Sequence, residues 1–195
     1  MSTMTTRDKT TAEPNELTRD GLFYEYPPVP YAEFPATLHE QGPTRVVPLD
    51  LSRQLGCPGP ATSPSLCANF LRILPDESIE VRPNASSQIY FVIRGRGRTR
   101  FDGQEILWGP GDLVTLPAGD SAVHEAEADA ALYWVHDEPI VRHLGALAES
   151  PTFRPTLHRV EVARDELAKD EADPEVQRRS RSSVLLANWT NDQAL

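Results

Sequence analysis

The stretch SQIYFVIRGRGRTRFDGQEILWGPGDLVTLPAG, Ser87 to Gly119, decides the fold. Gln88 to Arg94 is dense in Ile, Tyr, Phe and Val and reads as a buried strand that Gly95 stops. Gly97 to Phe101 ends at Asp102-Gly103, a pair that tolerates the left-handed backbone a two-residue hairpin requires. Gln104 to Trp108 stops at Gly109-Pro110-Gly111-Asp112, and Leu113 to Pro117 follows. The same texture continues on both sides. Ala68 to Leu74 ends at Pro75-Asp76, Ser78 to Arg82 alternates apolar and polar, and Ser121 to Glu127 is expected to pair with Ala130 to His136. Short strands separated by turns at this spacing predict an antiparallel sandwich or barrel, an all-β fold.

Beyond that block the chain changes character twice. Residues 1–20 are polar, Thr-rich and without period, which predicts a disordered lead-in. Residues 21–65 predict an extended Pro-rich arm, since Pro27, Pro28, Pro30 and Pro35 forbid a long helix and Cys57 to Ser65 is a loop. The barrel is expected over 66–138. Residues 139–195 predict short helices: Ile140, Val141, Leu144 and Leu147 fall at helical spacing, Ala163 to Ala172 is a charged surface helix, and Ser182 to Leu195 returns to strand character. Leu66-Cys67-Ala68-Asn69-Phe70 is echoed by Leu185-Leu186-Ala187-Asn188-Trp189. Five positions are compatible with chance or with the first strand of a second copy of the domain.

The 19 basic and 29 acidic residues give a net charge of −10, a field that repels a phosphate backbone and excludes nucleic acid as the expected partner. The clusters Arg94, Arg96, Arg98, Arg100 and Arg178, Arg179, Arg181 read as solvated faces. No stretch approaches the ~20 apolar residues of a membrane helix, and the first residues lack the apolar run of a signal peptide, so a cytoplasmic protein is expected. Cys57 and Cys67 form no metal or disulfide pattern and read as reduced thiols.

Gly111, Pro117 and Gly119 followed by His124 resemble the second signature of the cupin superfamily, and Gly95-Arg96-Gly97 with the Asp102-Gly103 and Pro110-Gly111-Asp112 turns fits the same frame. The resemblance covers about Cys67 to Asp137. It implies a cupin (double-stranded β-helix, or jelly-roll) barrel. Cupin enzymes hold a transition metal with histidines and often a glutamate; here the corresponding slots are Arg82, Asn84 and Gln88. The stretches Ser86 to Gly103, Trp108 to Gly119 and Val135 to Gly145 look like bicupins akin to gentisate and 1-hydroxy-2-naphthoate dioxygenases, which cleave aromatic rings with Fe(II). This chain is similar to their ligand-poor first repeat.

Arginine has no lone pair to give a metal, and amides offer only weak carbonyl oxygens. The first expectation is therefore a non-catalytic barrel without a cofactor, binding a small organic ligand, an aromatic or carboxylic acid, through Arg82, Asn84, Gln88, Tyr90 and His124 converging at the barrel mouth. Its structural counterpart is an interior filled by side chains, with Arg82 paired to Glu80 or Glu125. If Val81 faces inward, Arg82 leaves the interior. The second expectation is an Fe(II) or other divalent-metal dioxygenase with a rearranged site using His124, His136 and a carboxylate. His39, His143 and His158 read as surface residues. The aromatic arm, with Tyr24, Tyr26, Tyr31 and Phe34, implies a homodimer.

Overall fold

The computed structural model describes residues 30–172; the expected lead-in, Tyr24 and Tyr26, the arginines from 178 to 181, the terminal strand and the echo at Leu185 lie outside the described residues. The eight strands read from the sequence between Ala68 and His136 all form: β2 (Cys67–Ile73), β3 (Ser78–Val81), β4 (Ser87–Arg94), β5 (Gly97–Phe101), β6 (Gln104–Trp108), β7 (Leu113–Pro117), β8 (Ala122–Ala126) and β9 (Ala130–His136). With two further strands, β1 (Arg45–Pro48) and β10 (Thr156–His158), they form a six-stranded antiparallel sheet, β1-β2-β9-β4-β7-β10, whose edges are β1 and β10, facing a four-stranded one, β3-β8-β5-β6.

The turns behave as their residues require. Asp102 and Gly103 have φ of 48° and 70°, closing the β5–β6 hairpin. Gly95 has φ 81°, and a Cβ there would meet the Ala130 Cα at 2.6 Å, so both the backbone and the space demand glycine.

Two expectations about organisation are corrected. β8 and β9 do not pair: β8 lies between β3 and β5, whereas β9 lies between β2 and β4 in the other sheet. A short connection reads locally as a hairpin, yet each strand has one apolar face to bury. Crossing between sheets lets Ala122, His124 and Ala126 face the interior from one side and Leu132 and Trp134 from the other. The barrel also extends beyond 66–138 at both ends. Within the arm, α1 (Thr37–Glu40), β1 and α2 (Ser52–Leu55) interrupt the extended chain, and β1 pairs with β2. At the far edge β10 pairs with β7. Both additions cover what would otherwise be open sheet edges.

The helix expected from Ile140 onward is α3 (Glu138–His143), ended by Gly145 at φ 64°, so Leu144 and Leu147 stay exposed rather than forming an apolar helix face. The charged helix forms as α4 (Val160–Ala172). Among the described residues no helix is long and apolar enough to cross a membrane.

Register places the interior in rows. Val46, Leu71, Leu132 and Val92 are successive cross-strand partners, as are Asn69, Trp134, Tyr90, Val114 and Leu157. The opposite face of the same sheet carries Val47, Phe70, Tyr133, Phe91 and Leu113 as another continuous row, with Phe91 and Tyr133 exposed. The outer face of the four-stranded sheet instead carries ion pairs: Arg98 reaches Glu125 at 2.6 Å and Glu105 at 3.7 Å, and Arg100 also meets Glu125.

Asp112 joins the tail to the barrel. Its buried carboxylate accepts from the Gly109 and Val160 backbone N–H groups at 3.0 Å each and from Arg159 at 2.8 Å. Asp112→Ala strands these donors; urea unfolding is expected to show a loss of about 3 kcal/mol, from two orphaned backbone donors at roughly 1–3 kcal/mol each.

Candidate functional site

The inner face of β4 alternates Gln88, Tyr90 and Val92, all buried, while Ile89 and Phe91 point outward and are exposed. Gln88 is the direct cross-strand partner of His136, and Tyr90 of Trp134. From the facing sheet, His124 packs against Tyr90 with ring centroids 4.5 Å apart, and Tyr90 stacks on Trp134 at 5.7 Å with an interplanar angle of 4°. The Tyr90 hydroxyl donates to Gln88 Oε1 at 2.7 Å. Three of the expected site residues, Gln88, Tyr90 and His124, are therefore brought together, with His136 beside them. Trp134 completes the group; its apolar strand neighbours gave no sign of a role beyond packing.

Arg82 and Asn84 are not part of that group. Val81 is the inward residue of β3 and Ile79 packs against the core, so the strand ends with Arg82 pointing outward. Arg82 pairs with Asp120 at 3.3 Å, with both side chains largely exposed, and with neither Glu80 nor Glu125. The expected convergence of five side chains is corrected to two places, and the reason is the period-2 alternation of β3. Asn84, in the following loop, spends both ends of its amide on the backbone, donating to the Ala146 carbonyl at 3.0 Å and accepting from the Ala148 N–H at 2.9 Å.

Between these loops lies a cleft of about 1060 Å³ at the end of the barrel where Ser87 pairs with Pro117. Arg82, Phe101 and Asp120 line one part of it, and Leu147, Phe153 and Arg154 another. The residues after Leu144 were not recognised as site residues. Nothing in their composition signals that they return to the barrel end, where Asn84 meets Ala146 and Ala148.

Burial governs the titration of the interior. His124 is fully buried and its pKa is pushed down to about 3, so the ring is neutral. Thr99 Oγ1 accepts from the Trp108 indole N–H at 3.0 Å and lies 2.8 Å from His124 Nδ1. This contact engages Nδ1 in either tautomer, and the other ring nitrogen is Nε2. That atom and Trp134 Nε1 are buried without a partner among the described residues. Burial also lowers the His136 pKa and raises that of Tyr90 well above the usual phenol. The Cys67 thiol, beside His136 in register, is pushed up to about 11 and stays protonated.

His39 was expected at the surface and is buried. It packs edge-on against Phe70 at 4.7 Å and its Nδ1 accepts from Arg94 at 2.8 Å, because α1 lies on β2. His143 is exposed and His158 partly buried, its Nε2 among the unpartnered buried atoms. The carboxylates nearest His124 in sequence face away from it: Glu125 binds Arg98 and Arg100, and Glu127 binds Arg96 at 3.1 Å. Among the described residues no three His, Cys, Asp or Glu side chains group closely enough to hold a metal ion.

Neutral burial of His124 makes stability pH-dependent. The unfolded chain takes up the proton near pH 6.5 and the folded one only near 3, so this contribution is complete above about pH 6.5 and is lost as pH falls toward 3. Between pH 7.5 and 5.0 the loss is expected to be about 2 kcal/mol, at about 1.4 kcal/mol per pH unit below 6.5. His124→Leu should flatten the stability–pH curve over that range in urea titrations; an unchanged slope would mean that the imidazole is not held neutral.

The comparisons with known proteins agree with this architecture. The AraC-like ligand-binding domain matches residues 72–190, more than half of the chain. The 5-aminosalicylate 1,2-dioxygenase of Comamonas sp is 37% identical over 102 residues, 51% of this chain and 27% of that protein. Gentisate 1,2 dioxygenase 1 of Aquipseudomonas alcaligenes is 29% identical over 47% of this chain and 26% of its own. The chain thus spans about a quarter of the length of these curated relatives. Among solved structures, salicylate 1,2-dioxygenase from Pseudoaminobacter salicylatoxidans aligns with a TM-score of 0.45 and 19% identity, over 63% of this chain and 33% of that one. The matched span, together with the two facing antiparallel sheets, identifies the chain as a member of the AraC-like ligand-binding domain family, built on a cupin barrel.

Proposed function

We propose that this chain is a non-catalytic cupin barrel that binds a small aromatic carboxylic acid, and that the cleft at the barrel end is its binding site. The observation that carries this reading is the cleft's lining: the guanidinium groups of Arg82 and Arg154 and the apolar Phe101, Phe153 and exposed Leu147, with Asp102, Asp120 and Glu149 as the acidic residues of the same lining. A ring with a carboxylate meets both requirements, since the apolar residues cover its faces and an arginine pairs its charge. The Arg82–Asp120 pair is no obstacle. Exposed pairs of this kind are worth about 0–1 kcal/mol, so a ligand carboxylate displaces Asp120 at little cost. The family description, a ligand-binding domain, supports the same reading.

The donor set supports the absence of ring-cleavage chemistry in this barrel. A non-haem iron site takes imidazoles and a carboxylate around open positions. In this chain the slots that cupins use for metal carry Arg82, Asn84 and Gln88. Arg82 has no lone pair to offer, Asn84 is engaged with the backbone at both ends of its amide, and Gln88 Oε1 already accepts from Tyr90. His124 has Nδ1 engaged by Thr99, and His136 Nδ1 accepts from the Glu138 N–H at 3.3 Å. With Glu125 and Glu127 turned outward, the residues present do not fit iron, and no step is routed through a metal.

Thermal-shift and calorimetric titrations with salicylate, gentisate and benzoate test the reading. A ligand at a hundredfold excess over its Kd adds about 2.7 kcal/mol to stability, several degrees in Tm for a chain of this size. Arg82→Ala should weaken the bound acid about tenfold, or about 1.4 kcal/mol. No shift with any acid would overturn the binding site. Near-stoichiometric iron after anaerobic incubation with Fe(II), lost in His124→Ala, would overturn the non-catalytic reading in favour of a rearranged dioxygenase site.

We also infer that the chain forms a homodimer through the outer face of its six-stranded sheet. A molecule with a net charge of −10 repels its copy least along an apolar row, and Val47, Phe70, Tyr133, Phe91 and Leu113 form such a row, with Asp129 at its side neutralised by Arg72 and Arg94. Light scattering is expected to give twice the 21.7 kDa of the chain and to return to the single mass in Phe91→Glu.

A further inference from the structure

The segment that closes the cleft has its own fastening. After α3, Gly145 at φ 64° redirects the chain, and residues 146–155 run across the barrel end without helix or strand. Leu147, Phe153 and Arg154 from this strap line the cleft opposite Arg82 and Phe101. Its first residues are joined to the barrel by one side chain, and the Ala146 N–H also donates to the Val141 carbonyl of α3 at 3.0 Å. Asn84 Nδ2 donates to the Ala146 carbonyl at 3.0 Å, and the Ala148 N–H donates to Asn84 Oδ1 at 2.9 Å. A single amide thus grips two backbone groups of an extended segment, as a neighbouring strand does. Leu147, between the two grip points, lines the cleft while 74% exposed.

We propose that Asn84 is a latch that holds residues 146–155 as the outer wall of the cleft, and that an aromatic acid is retained beneath this strap. The inference rests on the ligand-binding reading and deepens it. Asn84 is a positioning residue, acting on the ligand through Leu147, Phe153 and Arg154. The strap has the properties of a segment that opens at low cost. It contributes no sheet pairing of its own, it turns on a glycine in the left-handed region, and its grip is two hydrogen bonds of ordinary strength at a partly exposed site. A ring bound against Leu147 removes an exposed apolar side chain from water, so ligand and latch favour the same closed state. Entry then requires release at Asn84, and affinity depends on a residue that does not touch the ligand.

Hydrogen exchange of residues 145–155, measured alongside salicylate affinity on the full chain, tests this. Asn84→Ala is expected to raise exchange at the Ala148 N–H at least tenfold, while the Ala146 N–H, bonded to the Val141 carbonyl, and the amides of β4 and β9 exchange as in the wild type, and to weaken salicylate about tenfold. Asn84→Asp keeps the acceptor for the Ala148 N–H and loses the donor to Ala146, so its exchange should fall between the two; it also serves if the alanine variant does not fold. Arg82→Ala should weaken salicylate with strap exchange unchanged, which separates loss of a ligand contact from loss of the latch. Wild-type exchange in both Asn84 variants overturns the proposal, and so does a loosened strap with undiminished salicylate affinity. If the wild type binds none of the three acids, the functional reading fails, whereas the exchange comparison still decides whether Asn84 holds the strap.

Discussion

Tyr90 is enclosed on every side, stacked on Trp134 within its own sheet and met by His124 from the sheet opposite, and its hydroxyl has Gln88 Oε1 as acceptor. The rest of the barrel is arranged around this contact. It joins the two sheets at a buried aromatic cluster whose polar atoms are constrained. A phenol fully buried in an apolar interior requires a partner, and Gln88, one inward position before it on β4, supplies it. The imidazole against its face is neutral for the same reason. One register therefore sets packing, hydrogen bonding and protonation together, and a one-residue slip of β4 would expose all three.

That constraint also separates the interior from the rim. Residues on the inner faces are committed to one another: Gln88 to Tyr90, Thr99 between Trp108 and His124, Cys67 and His136 side by side. Side chains just past the strand ends are free of the alternation and turn to the loops, as Arg82 does toward Asp120 and Asn84 toward Ala146 and Ala148. In this chain the boundary separates the buried Gln88, Tyr90 and His124 from Arg82 and Asn84 at the rim.

The two faces of the molecule differ in the same physical terms. The four-stranded sheet shows water an alternation of arginines and glutamates, whose exposed pairs contribute little to stability and keep the surface solvated. The outer face of the six-stranded sheet instead carries the apolar row Val47, Phe70, Tyr133, Phe91 and Leu113. Edge strands β1 and β10 come from outside the central block, and Asp112 fixes the second of them through Arg159 and the start of α4.

By itself the sequence determined the strands from Ala68 to His136 and the turns between them. Alternation, β-branched and aromatic runs, and the dipeptides Asp102-Gly103 and Gly111-Asp112 are local signals that local sterics enforce. The resemblance to cupins also implied that Gln88, Tyr90 and His124 belong together, and the structure brings them together from facing sheets. Tertiary structure alone decided the remainder. Whether β8 pairs with β9 or crosses to the other sheet depends on which faces must be buried, and this is settled by strands distant in sequence. Whether Arg82 or Val81 points inward turns on where β3 ends, a single-residue question that alternation in SIEVR leaves open. His39 is buried within a helix only four residues long, and one loop asparagine, Asn84, meets the cleft wall at a segment more than sixty residues away. Such contacts carry no periodicity, so they are legible only once the chain has folded back on itself.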